Sequence, residues 1–307
     1  MCMIRIGPAL DKVLAENEKR FELTEDAQFV IFSDLHRGRG DWADDFMHNS
    51  LIFTNALDFY FREGVTYIEL GDGDELYENR HLDDIVRAHE SVFLLLDKFH
   101  KENRLFYIVG NHNLQMGNER WRSRELEAAR THIPGLFDNL VTYVSALIGD
   151  RIFLFHGHQG DFFNDSLLPV ARFLVRHFWR PLQNIFGWRD PTSPAQSIKK
   201  RNKVELSIME WARKNRIVAV AGHTHRPIFM SLTKQQNLAG MKSQPYYFNS
   251  GCGIHPRCVT CLEISGMKIS LVKWHIVADT DEGGQLKVAR EQLEGCQADL
   301  KDVLDSL

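Results

Sequence analysis

Phe29-Val30-Ile31-Phe32-Ser33-Asp34-Leu35-His36 is the stretch on which the reading of this chain turns. Four apolar residues bounded by polar ones read as a short buried strand. A carboxylate and an imidazole, two residues apart, close the stretch. The pattern then recurs. Thr66–Leu70 leads into Gly71-Asp72, and Leu105–Val109 into Gly110-Asn111-His112. Arg151–Phe155 leads into His156-Gly157-His158, and Ile217–Ala221 into Gly222-His223-Thr224-His225. Where strands are joined through helices, ligands bind at the strands' carboxyl ends. Strands that all end in Asp, Asn or His therefore point to one shared site.

The intervening segments supply the helices. Asp44–Arg62 carries Phe46, Leu51, Phe53, Leu57 and Phe61 at helical spacing, with Gly64 as a stop. Leu82–Phe99 places Ile85, Val92, Leu95, Leu96 and Phe99 on one side of a second helix. Strand–helix alternation of this kind predicts parallel pairing with crossovers. Val141–Leu147 and Arg151–Phe155 flank Gly149-Asp150, which reads as a hairpin turn. The pattern over residues 163–214 predicts a helical insertion, broken by Pro169 and Pro181. Beyond Arg226-Pro227 come strand-like Ile228–Leu232, Tyr246–Asn249, Val259–Ile264 and Lys268–Val277, with a turn at Ser265-Gly266. The chain is expected to be α/β, one domain over 1–278 with two mixed sheets packed face to face and helices outside. The tail, 279–307, is expected to be helical.

The 307 residues allow a sizeable core, and 44% apolar with 25% charged residues is an ordinary globular balance. A net charge of −4 gives no global attraction to nucleic acid or anionic lipid. Residues 1–20 lack a signal-type apolar run, and no segment approaches the length of a membrane span. Five cysteines, an odd number, point to a reducing, cytoplasmic setting. Cys252, Cys258 and Cys261 cluster, but without the paired short spacings of a zinc site, and read as packing thiols.

Asp34, His36, Asp72, Asn111, His156, His223 and His225 are the candidate metal ligands. Mixed oxygen and imidazole donors suit Mn, Fe or Zn rather than Ca or Mg. Seven side chains exceed one four-coordinate ion but fit two divalent ions sharing a carboxylate, with Mn²⁺ the first expectation. Such a pair, about 3.5–4 Å apart, activates water and clamps the oxygens around phosphorus. The charge left over after two aspartates and a hydroxide favours an anionic phosphate. Each piece alone has a bland reading, since Gly-Asp and Gly-Asn-His often mark turns. The ordered set at successive strand ends does not.

That set, Asp34-x-His36, Gly71-Asp72, Gly110-Asn111-His112, His156-Gly157-His158 and Gly222-His223-Thr224-His225, resembles the calcineurin-like metallophosphoesterases. The resemblance implies a four-layer αββα sandwich with a dinuclear centre between the sheets. It implies Asp34, His36, Asp72 and His225 on one ion, and Asp72 (bridging), Asn111, His156 and His223 on the other. It also implies that His112 contacts phosphate and protonates the leaving group. Members often carry Asp or Glu after that histidine, to orient it and raise its pKa; this chain has the neutral amide Asn113, which makes His112 a weaker acid unless another carboxylate, such as Asp161, approaches. The absence of Asp-Arg-Gly after Gly71-Asp72 argues against a protein serine/threonine phosphatase.

More finely, Gly71-Asp72-Gly73-Asp74-Glu75, His156-Gly157-His158-Gln159-Gly160-Asp161 and Gly222-His223-Thr224-His225-Arg226-Pro227 look like the UDP-2,3-diacylglucosamine pyrophosphatase branch. That branch has Arg where this chain has His112. Its likeness implies a helical cap that receives acyl chains and a phosphate-containing small-molecule or lipid substrate. Glu75, Asn113, His158, Asp161 and Arg226 are further candidates for holding ligands or substrate. Leu167, Val170, Leu174 and Phe178 share one helical face and Arg172, Arg176 and Arg180 another, so 167–188 could touch a membrane surface peripherally or simply pack on the sandwich. The alternatives are a nuclease or cyclic-nucleotide phosphodiesterase on the same centre, and a non-catalytic scaffold. A scaffold would be free to lose ligands, and this chain has kept them all.

Overall fold

The computed structural model describes residues 6–16, 21, 23–138, 143–149, 151–159, 198–230, 246–279 and 285–307. Strand β1 (Gln28–Phe32) lies at the middle of the larger sheet. It runs parallel to β2 (Thr66–Leu70), pairing Phe32 with Glu69, and β2 runs parallel to β3 (Leu105–Ile108). β3 in turn runs parallel to β4 (Tyr143–Val144). On its other side β1 meets an antiparallel meander of β10 (Cys258–Ser265), β11 (Lys268–Asp279) and β12 (Gln285–Asp299). The smaller sheet is ordered β5-β6-β7-β9-β8. Its strands are β5 (Ala146–Gly149), β6 (Ile152–Phe155), β7 (Val218–Ala221), β8 (Ile228–Phe229) and β9 (Tyr247–Asn249).

Strand alternation sorts the core into three layers of contact. Ile31, Ile68 and Ile108 of the large sheet meet Leu154, Val220 and Phe248 of the small one, between the sheets. Val30, Phe32, Tyr67 and Tyr107 face the other way, onto α2 (Ser50–Arg62), α3 (Leu82–Ala88), α4 (Glu90–Lys101) and α5 (Glu119–Ala129). Phe153, Phe155, Ala219 and Tyr247 face α1 (Ile6–Glu16) and α6 (Ile198–Asn215). Helix, sheet, sheet, helix is the expected αββα sandwich.

Local details differ from the sequence reading. The segment read as one strand, Val141–Leu147, is divided: β4 joins the large sheet and β5 the small one, with Ser145 a bend between them. Tyr143 stacks on Tyr107 at 4.6 Å, while Leu147 enters the core between the sheets. The hairpin of β5 on β6 forms as expected. The helix read over Leu82–Phe99 breaks at His89 (φ −123°), whose buried ring bonds Asp44 at 2.8 Å. Of the insertion, 163–197 lies outside the described residues. The remainder is α6, a layer helix whose Trp211 packs 5.6 Å from Phe153 and donates to Asp11 of α1.

The tail is the largest correction. Residues 285–299 are a strand, not a helix, zipped to β11 from Asp279↔Gln285 to Lys268↔Asp299. Among the described residues of the tail only α7 (Leu300–Asp305) is helical, and it turns Leu300, Val303 and Leu304 into the core between the sheets. Pairing with a long exposed edge has overridden the helix-forming composition of this segment.

Candidate metal centre

Every block read from the sequence lies at the carboxyl end of its strand, where the backbone departs from extended geometry. Asp34, His36, Asp72, His223 and His225 all have positive φ, at 52°, 50°, 51°, 65° and 54°. For residues with a Cβ such conformations cost about 1–3 kcal/mol each, and neighbouring loops hold them. Asp34 N–H donates to Gly71 O at 3.1 Å, His36 N–H to Asp72 O at 2.9 Å, and Gly222 N–H to His156 O at 2.9 Å.

Two glycines explain their own place in the motifs. A Cβ on Gly110 would stand 2.1 Å from Asp72 Oδ1, and one on Gly222 would stand 2.5 Å from Asp34 Oδ2. The residue before each ligand must lack a side chain because a carboxylate from another loop fills that space.

The carboxylates each divide their oxygens. Asp34 Oδ2 accepts from His223 N–H at 2.8 Å, leaving Oδ1 buried without a hydrogen-bond partner. Asp72 Oδ1 accepts from His112 N–H at 2.8 Å, leaving Oδ2 2.9 Å from His156 Nε2. The imidazoles are oriented in the same way. His156 Nδ1 donates to the Leu70 carbonyl at 2.9 Å and His36 Nδ1 to Glu75 Oε2 at 2.7 Å, so both turn Nε2 inward.

The inward atoms converge in two groups. Asp34 Oδ1, His36 Nε2 and His225 Nε2 lie 3.2–3.9 Å apart pairwise. Asp72, His156 and His223 form the second group. Asn111 Oδ1 lies 3.2 Å from His156 Nε2, and Asp34 Oδ1 lies 3.9 Å from the same nitrogen, which joins the groups. Donors around an ion with bonds of about 2.0–2.2 Å stand about 3 Å or a little more apart, so the spacing fits. The fit is also one of need: Asp34 Oδ1 and His223 Nε2 are buried polar atoms with no hydrogen-bond partner.

Electrostatics favours cations. Burial raises the carboxylates' cost, yet His225 and His156 hold Asp34 down at about 2, and His156 and His112 hold Asp72 well below the usual range. Burial opposes charge on His156, but Asp72 and Asp34 outweigh it and lift the ring to about 9. A field that retains a proton there would hold a metal ion by the same attraction. Burial and the neighbouring imidazoles push His223 well down and His158 to about 3, leaving both as neutral donors.

The remaining candidates separate. His112 joins His36 and Asp72 in a third group, its ring 4.6 Å from His36. Glu75 accepts from both His112 Nδ1 at 2.7 Å and His36 Nδ1. Asn113 turns away, its Oδ1 taking Gly110 N–H at 2.7 Å. His158 is buried with Nδ1 unpartnered, its ring 5.4 Å from His156. Arg226, a substrate candidate in the sequence, is engaged instead by buried Glu205 of α6, whose carboxylate needs a cation. Asp161 lies outside the described residues. The cysteines join none of the metal-capable groups among the described residues, and Cys252 and Cys261 are core thiols.

One feature was invisible in the sequence. Arg37, fully buried, grips Glu69 with two bonds of 2.8 Å and Asp74 with one of 2.8 Å. It ties the loop after β1 to the loop after β2. The only sequence trace was the density of acids in Gly71-Asp72-Gly73-Asp74-Glu75.

Two solved structures are similar at low identity. Vacuolar protein sorting 29 from Cryptosporidium parvum matches at 15% identity, covering 87% of this chain and 97% of that one, with a TM-score of 0.35. Chaetomium thermophilum Vps29 matches at 11%, covering 88% and 97%, with a TM-score of 0.32. At such scores neither bears on what this chain does. No curated protein matches it. No helix among the described residues is long and apolar enough to cross a membrane. The sequence profile of calcineurin-like phosphoesterases, however, matches residues 27–227, well over half of the chain and all five blocks. With that match over the two-sheet sandwich and the converging donors, the chain belongs to the calcineurin-like phosphoesterase family.

Proposed function

We propose that this chain hydrolyses a phosphoester or pyrophosphate bond with two divalent transition-metal ions, Mn²⁺ first among them. The observation that carries the proposal is the pair of buried donor groups, Asp34/His36/His225 and Asp72/His156/His223, joined where Asp34 approaches His156 and Asp72 approaches His36, and furnished with unpartnered atoms. Asp34, His36, Asp72 and His225 would hold one ion, and Asp72, Asn111, His156 and His223 the other. Such a pair supplies a water of lowered pKa and neutralises charge on phosphoryl oxygens.

The chain's own residues do the rest. Asp72 groups with His36 as well as with His156 and His223, and would be shared by the two ions. His112, lifted to about 10 by Glu75 and Asp72 against the cost of its burial, carries a proton at neutral pH. It delivers that proton to the departing oxygen as the phosphorus–oxygen bond breaks. His158, neutral and buried beside His156, would donate a hydrogen bond to a phosphoryl oxygen.

The substrate is taken to be a phosphate-containing small molecule, with nucleotide-linked lipids the class to try first. Arg226, being held by Glu205, lends no support to a nuclease. Metal-stripped protein reconstituted with Mn²⁺, Fe²⁺ or Zn²⁺ is assayed on bis(4-nitrophenyl) phosphate and 4-nitrophenyl phosphate. Turnover that disappears with chelator is expected. No turnover with any of the three metals would overturn the proposal.

A further inference from the structure

His225 closes the last donor block on a strained backbone, at φ 54°. Its Nε2 lies 3.2 Å from Asp34 Oδ1 and 3.2 Å from His36 Nε2. The residues on either side of it are gripped by one side chain from the outer helix layer. Arg226 donates through Nε to Glu205 Oε1 at 3.2 Å and through Nη2 to Oε2, and the Thr224 hydroxyl bonds the same carboxylate. Glu205 and Thr224 are fully buried. Asn249 of β9 completes the hold, its Nδ2 donating to Thr224 Oγ1 at 3.2 Å and to Gly222 O at 2.7 Å. The loop after β1 has backbone pairing as well: His36 N–H and Arg37 N–H donate to Asp72 O and Gly73 O at 2.9 Å each. Around His225 the hold passes through Glu205.

We infer, on the two-ion reading and deepening it, that Glu205 of α6 is the positioning residue for the ion held by Asp34, His36, Asp72 and His225. Glu205 touches neither ion nor substrate; it acts through His225. A carboxylate buried under the helix layer fixes residues 224 and 226, so the peptide units on both sides of His225 are set before any metal arrives. A residue held in the left-handed region keeps that geometry only while its surroundings over-determine it. The outer partners of metal ligands change affinity by about 10–100-fold. Arg201, one turn earlier on α6, also acts on Glu205. The carboxylate therefore keeps a cation nearby when Arg226 is replaced, and Arg226→Gln should fold.

The effect should be confined to one ion. His223, two residues earlier on the same loop, has its N–H held by Asp34 Oδ2 at 2.8 Å rather than by Glu205, so the ion among Asp72, Asn111, His156 and His223 should be spared. Mn²⁺ binding is measured by calorimetry on metal-stripped wild type, Glu205→Gln, Arg226→Gln, His225→Ala and the double variant Glu205→Gln/His225→Ala. Electron paramagnetic resonance reports whether the bound ions are coupled as a pair. Urea unfolding of the metal-free proteins runs alongside, and kcat and KM are taken on bis(4-nitrophenyl) phosphate at saturating Mn²⁺.

Glu205→Gln and Arg226→Gln are each expected to weaken one Mn²⁺ site about 10–100-fold and leave the other unchanged. Both should give an uncoupled Mn²⁺ signal at metal concentrations that pair the ions in wild type. On the His225→Ala background Glu205→Gln should weaken binding no further, since residues that act through one another do not add. At saturating Mn²⁺, KM should match wild type. Equal weakening of both sites, or further weakening on the His225→Ala background, would overturn the inference and leave Glu205 a structural residue only. Unchanged Mn²⁺ binding with a raised KM in Arg226→Gln would overturn it too, and make Arg226 a substrate contact. Should Glu205→Gln fail to fold, Arg226→Gln carries the same test. If wild type binds a single Mn²⁺, the two-ion reading fails instead. A crystal structure of Arg226→Gln then decides the positioning role alone: a His225 ring turned away from Asp34 supports it, and an unmoved ring overturns it.

Discussion

Asp34 and Asp72 each spend one oxygen on a backbone N–H and turn the other inward, and that division makes the centre sensitive to its glycines. Gly110→Ala and Gly222→Ala would set a methyl carbon 2.1 Å from Asp72 Oδ1 and 2.5 Å from Asp34 Oδ2. Both variants should keep the circular dichroism of the fold while losing Mn²⁺ binding by calorimetry. The centre should also respond to pH in a definite sense. His156 is raised to about 9, so near neutrality it carries a proton that a cation must displace. Metal affinity is therefore expected to rise with pH by about tenfold per unit through the neutral range and to level off near pH 9. Calorimetry at several pH values, in buffers of differing ionisation enthalpy, measures both the rise and the proton release. The ligand types and their order could be read from the sequence because each block follows the same local grammar: an apolar strand, then a donor, with Gly directly before Asp72, Asn111 and His223. What holds them could not. Glu75 serving two histidines, and Glu205 claiming Arg226, depend on side chains brought together from distant loops.

At the scale of elements, the alternation of strands and helices before residue 110 foretold the parallel β1-β2-β3 arrangement, since buried parallel strands are uniformly apolar. The misreadings have physical causes. Val141–Leu147 is mostly apolar, with Val141, Tyr143, Val144, Ala146 and Leu147, and gave no sign that Ser145 passes the chain from one sheet to the other. Residues 285–299 contain good helix formers, and only the presence of β11 as an open edge makes them a strand. The loop–loop clamp is the element on which the centre leans. Arg37→Met would leave buried Glu69 and Asp74 without their cation, and breaking a buried pair in this way costs about 3–5 kcal/mol. Denaturant unfolding should register that loss, and a change below about 1 kcal/mol would show the clamp to be unimportant to stability.

The whole molecule is a sandwich closed at one side by its last residues. α7 seals the core between the sheets with Leu300, Val303 and Leu304, and β12 covers β11. Truncation after Ala278 should therefore expose that core and abolish cooperative thermal unfolding; a truncated chain that melts like the full one would make residues 285–307 an appendage after all. The proposed hydrolysis requires two cations held by the converging donor side chains. Anomalous diffraction from crystals grown with Mn²⁺ tests it most directly. Two peaks are expected, one among Asp34, His36, Asp72 and His225, the other among Asp72, Asn111, His156 and His223. No peak at these residues, with Mn²⁺ in solution at millimolar concentration, would contradict it.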